Sequence, residues 1–350
     1  MFRAKTVFVL GAGASAEVGL PVGEKLKEKI AEKINIKFRF GAEQESGDYR
    51  VTRALRELAH QSNGGNGDIN PYLQAACRLC EALPLAISID NLLDAHKNDE
   101  MAKVCGKLGI VSSILEAERS SALFSPEGKG QRLNFDNVRD TWFVKFFQLL
   151  TESVARDDVN SVFENISFVS FNYDRCLEHY LHEALQTYYA LDVDAVTKIM
   201  TRLKIFHPYG SVGKLPWQEL DKELQVPYGA DRYNLLNVSN QIKTFNETVD
   251  EKAEIEHVAQ KIREAKVIVF LGFAFHEQNL KLLDPKMNSD PKRVYTTTYR
   301  ISDSNRTVIM SAIGDLLGSN QGVMPAAKDF KNEFKCTDLL NEYSRSLTAP

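Results

Sequence analysis

No apolar run in this chain reaches the roughly 18 residues of a membrane helix, so no membrane span is expected. Surplus positive charge is missing as well. Lys and Arg number 43 against 47 Asp and Glu, a formal net charge of −4. Nothing in that balance draws the protein to nucleic acid or to a membrane surface. Cysteine is sparse: five residues in 350, odd in number and scattered, which fits a reducing compartment better than a disulfide framework. A single C-x-x-C occurs, Cys77 and Cys80, inside the helical-looking run PYLQAACRLCEAL. No second pair follows at zinc-ribbon spacing, and a structural zinc site needs four ligands. No metal is therefore expected. The N-terminus lacks the apolar core and cleavage site of a signal peptide, so a cytoplasmic protein is expected. Internal repeats and low-complexity tracts are absent too.

What the chain does have is concentrated in Thr6 to Pro21, TVFVLGAGASAEVGLP. Val7, Phe8, Val9 and Leu10 form an apolar run suited to a strand buried on both faces. Gly11, Gly13 and Ala16 follow as G-x-G-x-x-A, and the chain then reads as helix to about Ile34. Strand, glycine turn and helix together are the context in which this spacing points to a nucleotide. Glycines admit a pyrophosphate close to the backbone, and the helix start offers unpaired N–H groups to its charge. Ser15 adds a hydroxyl at the same edge. The plainer reading is a tight strand-to-helix turn without a ligand.

Residues 36 to 68 are polar and glycine-rich, with NGGNGD at 63–68 the clearest loop. Apolar spacing then predicts helices over roughly 70–83, 89–104, 107–123 and 138–155, with SPEGKG at 125–130 separating the last two. Further strands are expected at ISFVSF (166–171), LKIFH (203–207), KVIVFLGF (266–273) and RVYTTTY (293–299), and short strands and loops over 212–250. Helices are expected after the second strand, at 251–264, from His276 to Leu283, at 303–317 and near 328–346. Alternating strands and helices imply an α/β fold with a parallel sheet and helices on both faces. Residues 1–35 and 160–320 would form the core, 36–159 a helical insertion covering the site, and 321–350 a tail.

A ligand of such a sheet sits beyond the carboxyl ends of the strands. Four loops leave those ends: GAGAS, FNYD, HPYGS and GFAFHEQN. Asn172 and Asp174 follow a buried strand, where a rigid element aims a side chain into the crevice. Asp174 also reads as an Asx turn capping the next helix. His207 follows another strand, and imidazole takes a proton near neutral pH. Gly272 would let a ribose or phosphate approach, and Phe273 or Phe275 would cover an adenine; core aromatics are the alternative. Thr296 to Tyr299 would line the same crevice. His179 and His182 stand three apart on a helix with no third ligand apparent. Hydride transfer is disfavoured, because a dehydrogenase unit brings its second strand and acidic residue within about 30 residues, and here that strand is delayed by the insertion.

With these loops in view, the chain resembles the sirtuin superfamily. More closely, it is similar to the bacterial sirtuin-like NAD hydrolases of anti-phage defence. The resemblance rests on G-A-G-A-S-x-x-x-G-L-P at 11–21, S-F-N-Y-D at 170–174, H-P-Y-G-S at 207–211, L-G-F at 271–273 and the long insertion. It implies a Rossmann-like NAD+ site. Gly11, Ala12, Gly13 and Ser15 would hold the dinucleotide, with Asn172 and Asp174 at the nicotinamide ribose and amide and His207 as base. It also implies a homo-oligomer, a partner such as an ATPase, and control by assembly or by a phage component. Three departures stand out. Val22-Gly23-Glu24 replaces the D-F-R-type sequence of protein deacylases, and their four-cysteine zinc module is absent. Both favour cleavage of NAD+ to water over acyl transfer. The family's histidine commonly stands directly before the glycine, where this chain has Tyr209, so His207 and Tyr209 both stand as candidates for the base. The expected activity is NAD+ glycohydrolysis. The alternatives are an NAD or ADP-ribose sensing module, and a zinc-free deacylase.

Overall fold

Every residue of TVFVL is buried, and the segment forms β1, Thr6–Leu10, at the centre of the sheet. The computed structural model describes residues 1–40, 43–62, 67–126, 132–219, 221–222, 225–286, 292–317 and 334–350. In chain order the other strands are β2 (Lys37–Arg39), β3 (Glu43–Ser46), β4 (Ile166–Ser170), β5 (Ile205–Phe206), β6 (Val267–Leu271) and β7 (Arg293–Thr296). Four of them join β1 in one sheet in the order β5-β4-β1-β6-β7, parallel throughout. Strands β2 and β3 form a separate antiparallel pair. Helices cover both faces. The protein is an α/β protein with a Rossmann-like sheet.

Side-chain alternation divides the interior in two. Val7, Val9, Val169, Ile268 and Phe270 face the helices Glu24–Ile34 and Glu100–Ser120. Phe8, Leu10, Phe168, Val267 and Val269 face the helices Trp142–Thr151 and Cys176–Tyr189. In register, Phe8 lies beside Phe168, and their rings stack at 5.2 Å. Much of the first cluster comes from the insertion: Leu79, Leu93, Leu108, Val111 and Ile114 pack into the same core as Val7 and Val9.

Several boundaries depart from the sequence expectation. The predicted helices 89–104 and 107–123 are Ile89–Ala95 and Glu100–Ser120. The break comes where Asp99 accepts the Ala102 N–H as N-cap. The predicted helix 138–155 is shorter, Trp142–Thr151. The polar stretch 36–68 contains β2, β3 and a helix, Tyr49–Ser62, whose apolar side chains at Val51, Ala54, Leu55 and Ala59 are buried. Within 212–250 two short helices, Leu235–Ser239 and Phe245–Asp250, take the place of strands. The edge strand β5 is only two residues long, since Pro208 has no N–H to extend the ladder. Residues 63–66 of the NGGNGD loop, 127–130 of SPEGKG and 318–333 of the C-terminal stretch lie outside the described residues. After them come the helices Cys336–Glu342 and Ser344–Thr348. No helix among the described residues is long and apolar enough to cross a membrane.

From β1 the chain proceeds to β4 and β5 on one side, then crosses to β6 and β7 on the other. The topological switch point therefore lies between β1 and β6. There the backbones touch. Gly11 N donates to Leu271 O and Gly13 N to Gly272 O, each at 3.0 Å. Gly272 has φ +59°, and a Cβ on it would fall 2.2 Å from Ala14 N. Gly272→Ala should therefore cost about 2 to 5 kcal/mol, from left-handed backbone strain plus the clash. A thermal midpoint unchanged from wild type would contradict this packing.

Candidate active site

The turn after β1 runs into a one-turn helix, Ala12–Ala16, fastened from behind by Trp142, whose Nε1 donates to Ala14 O at 2.7 Å. This aims Ser15 at the loop after β4. Asn172 Nδ2 donates to Gly11 O at 3.0 Å and to Ser15 Oγ at 3.1 Å. Ser15 Oγ in turn donates to Asp174 Oδ1 at 3.0 Å, which also accepts the Cys176 N–H at 3.1 Å. All three side chains are buried. Asp174 thus makes an Asx turn and joins the network at once. Burial pushes its carboxyl above the ordinary carboxylate value, against the hydrogen bonds from Cys176 and Ser15. Gly11, Gly13, Ser15, Asn172 and Asp174 are brought together at one point, from two strand ends.

His207 reaches the same loop from the other side. Its Nδ1 lies 3.2 Å from Asn172 O and its Nε2 lies 2.7 Å from Glu178 Oε1. A carbonyl and a carboxylate are both acceptors, a pairing that favours the protonated ring. Burial alone would pull its pKa down; the Glu178 carboxylate and the Asn172 carbonyl outweigh that and raise it above the ordinary value. Burial likewise pushes Glu178 up, but His207 and Arg175 bring it below its ordinary value. Both ring nitrogens of His207 thus face protein acceptors in this arrangement. Tyr209 offers no base: its hydroxyl donates to Asn279 Oδ1 at 2.8 Å, and burial, with Asp90 and Asp94 nearby, raises its pKa.

Gly272 and Phe273 wall a cleft of about 510 Å³ on the β6 side of the crevice, together with Gly13, Phe275, Thr297 and Tyr299. Phe275 holds a left-handed φ of +58°, unusual for a bulky residue, with its ring against Phe270 and Phe273. Thr297 Oγ1 accepts the Gly272 N–H at 2.8 Å, tying β7 to the same turn. A larger groove of about 710 Å³ runs between helices Trp142–Thr151 and Cys176–Tyr189, but none of the four strand-end loops lines it.

Sequence reasoning did not find the partners that hold these residues. Glu118 of the insertion and Arg175 form a fully buried pair at 2.5 Å. The carboxylate also accepts the N–H groups of Arg175 and Gly229 at 3.0 Å each. Glu178 is spaced 29 residues from His207, and no local pattern announces such a pair. Helix Ile89–Ala95 carries Asp90 and Asn91 in its first turn. The cap is Ser88, which accepts the Asn91 N–H, and Asp90 accepts instead from the Tyr173 hydroxyl. His179 and His182 stack on Tyr228 and Trp217. The five cysteines are unpaired, and no group of three or more metal-ligating side chains occurs among the described residues.

The class defined by fold and site is a Rossmann-like α/β protein with a buried polar cluster where β1 and β4 end. Comparison of the chain with protein-family models, with curated proteins and with solved structures returns no match.

The Glu178–His207 pair has a pH signature. The raised imidazole contributes stability that is full below its unfolded value, about 6.5, and lost as pH rises through the folded value; the lowered carboxylate contributes above about pH 4.3 and loses it on acidification. Glu178→Gln should therefore cost most near pH 6, on the order of 3 kcal/mol, and less at alkaline pH. Denaturant unfolding of both proteins across pH checks this. A cost that grows toward pH 9 would contradict the ionised pair.

Proposed function

We propose that this protein is an NAD+ glycohydrolase that cleaves the nicotinamide–ribose bond to give nicotinamide and ADP-ribose. The observation that carries the reading is the buried Asn172–Ser15–Asp174 network at the carboxyl ends of β1 and β4, beside the Gly11–Gly13 turn. Those are the residues that the resemblance to sirtuin-like NAD hydrolases singles out. The adjacent cleft walled by Gly272 and Phe273 has room for the adenosine half of a dinucleotide.

The chemistry asks little of an acid. Nicotinamide leaves as a neutral ring, and positive charge gathers on the ribose. The protein has to hold the diphosphate, fix the ribose and admit one water. In this reading Gly11, Ala12, Gly13 and Ser15 hold the diphosphate, Asn172 fixes the ribose, and Asp174 meets the nicotinamide amide. His207 serves as a strut: its imidazolium, backed by Glu178, holds the Asn172 carbonyl. This departs from the role of base that the family resemblance implies. By the same resemblance the protein acts as an NAD-depleting effector of anti-phage defence, in the cytoplasm and as a homo-oligomer, with a partner such as an ATPase setting when it fires.

Nicotinamide release from NAD+, followed by chromatography, tests the reading. Asn172→Ala should fold and lose about 100-fold or more in kcat. A folded Asn172→Ala protein that keeps its rate within about threefold would overturn the assignment.

A further inference from the structure

Helix Ile89–Ala95 belongs to the insertion, yet its polar face meets the loops that close the crevice. The Tyr173 hydroxyl donates to Asp90 Oδ1, and Tyr173 follows Asn172 directly. One turn on, Asp94 Oδ1 accepts from Asn246 Nδ2, and Asp94 Oδ2 accepts from Gln278 Nε2 at 2.7 Å. Asn246 lies in helix Phe245–Asp250. That helix is tied to the turn after β5, where Thr248 Oγ1 donates to Pro208 O at 2.6 Å. Gln278 lies in the helix after β6. The two aspartates thus pin the insertion across the ends of β4, β5 and β6.

They differ in one respect. Asp94 has both oxygens engaged. Asp90 is half-buried, with one oxygen held by Tyr173 and no side-chain partner for the other among the described residues. The other acceptors near Asn172 are more deeply buried: Glu178, with Oε1 engaged by His207, and Asp174, with Oδ1 engaged by Ser15 and the Cys176 N–H, are both buried, and both nitrogens of His207 face protein acceptors, whereas Asp90 keeps partial exposure. Resting on the NAD+ reading, we infer that Asp90, a residue of the insertion, is the carboxylate that takes the proton of the attacking water.

The C1′–N bond of NAD+ breaks, and its electron pair stays with the ring nitrogen, giving neutral nicotinamide. The water oxygen bonds to C1′, and its proton passes to Asp90 and then to solvent. The sum is NAD+ plus water to nicotinamide, ADP-ribose and one proton. While charge builds on the ribose, an ionised Asp90 also stabilises it. The titratable groups facing Asp90 are Tyr173, His276 and Tyr209, with Asp94 on its own helix. Burial raises the Asp90 carboxyl above its ordinary value, opposed by the Tyr173 hydrogen bond and by His276. Burial lowers His276, against the pull of Asp90.

The test is nicotinamide release by wild type, Asp90→Asn, Tyr173→Phe and His276→Asn, as kcat and KM between about pH 5 and 9. Wild-type kcat should fall on the acid side as the carboxylate takes its proton. Asp90→Asn should lose about 100-fold in kcat, keep KM within about threefold, and show no acid limb. Tyr173→Phe should move the limb to higher pH, because the hydrogen bond that favours the ionised carboxylate is gone. If Asp90→Asn does not fold, the Tyr173→Phe profile decides, and an unmoved limb overturns the inference. So does a folded Asp90→Asn protein within about threefold of wild-type kcat, or a loss seen with His276→Asn instead. A wild type that releases no nicotinamide overturns the NAD+ reading and this one with it. An active wild type with an unaffected Asp90→Asn overturns this one alone.

Discussion

Two backbones touch where β1 and β6 end, and the rest of the site hangs on that contact. Gly11 and Gly13 lie against Leu271 and Gly272, with hydrogen bonds of 3.0 Å between them. A Cβ at Gly11 would come within 2.5 Å of Gly272 O, so no side chain fits on that line. The contact sets the depth of the crevice at the switch point. It also sets the pitch of the Ala12–Ala16 turn, and so the direction of Ser15 toward Asn172 and Asp174. Close packing thus gives the glycines a reason to be there without any ligand. That packing commits the Gly11 and Gly13 N–H groups to β6 and leaves Ala12 exposed at the turn.

The insertion is part of the same architecture and not an appendage. Its apolar side chains share a core with one face of the sheet. Two of its charges, Glu118 and Asp90, reach Arg175 just after the Asn172–Asp174 segment and Tyr173 within it. Glu118 neutralises Arg175 in a pair with no exposure on the carboxylate. Removing one partner of such a pair costs roughly 3–5 kcal/mol, because the other charge is left uncompensated. Asp90 meets Tyr173. The loop that carries Asn172 is therefore held by β1 from one side, by the insertion from another, and by the Glu178–His207 pair from a third. A shift of the insertion helices would be felt at Asn172 directly, which gives a partner a physical route to the site.

Much of the fold was legible because burial on both sides of a parallel sheet writes continuous apolar runs. TVFVL, ISFVS and VIVFL are of that kind, and each is a strand within a residue or two of expectation. The convergence of the four strand-end loops followed from topology alone. What stayed hidden was long-range or weakly patterned. The helix Tyr49–Ser62 buries Val51 and Leu55 among charged residues, so it reads as polar from composition. The split between Ile89–Ala95 and Glu100–Ser120 turns on one cap at Asp99, inside an apolar pattern that otherwise continues. The engagement of both nitrogens of His207 depends on a carboxylate 29 residues away, and the hydrogen bond to Asp90 comes from a tyrosine 83 residues away. Pairings of that kind are made by the fold, and no spacing rule contains them.

We propose a dinucleotide lying across the β1–β6 crossing with its reactive ribose under the insertion. The most direct measurement is a crystal structure of the protein with carba-NAD+, in which a methylene replaces the ribose ring oxygen and blocks cleavage. The account predicts the diphosphate against Gly11 to Ser15, the adenosine beside Gly272 and Phe273, and the nicotinamide-bearing ring between Asn172 and Asp90. Density for the ligand only in the groove between helices Trp142–Thr151 and Cys176–Tyr189, or a pose with the nicotinamide turned away from Asn172, would contradict it.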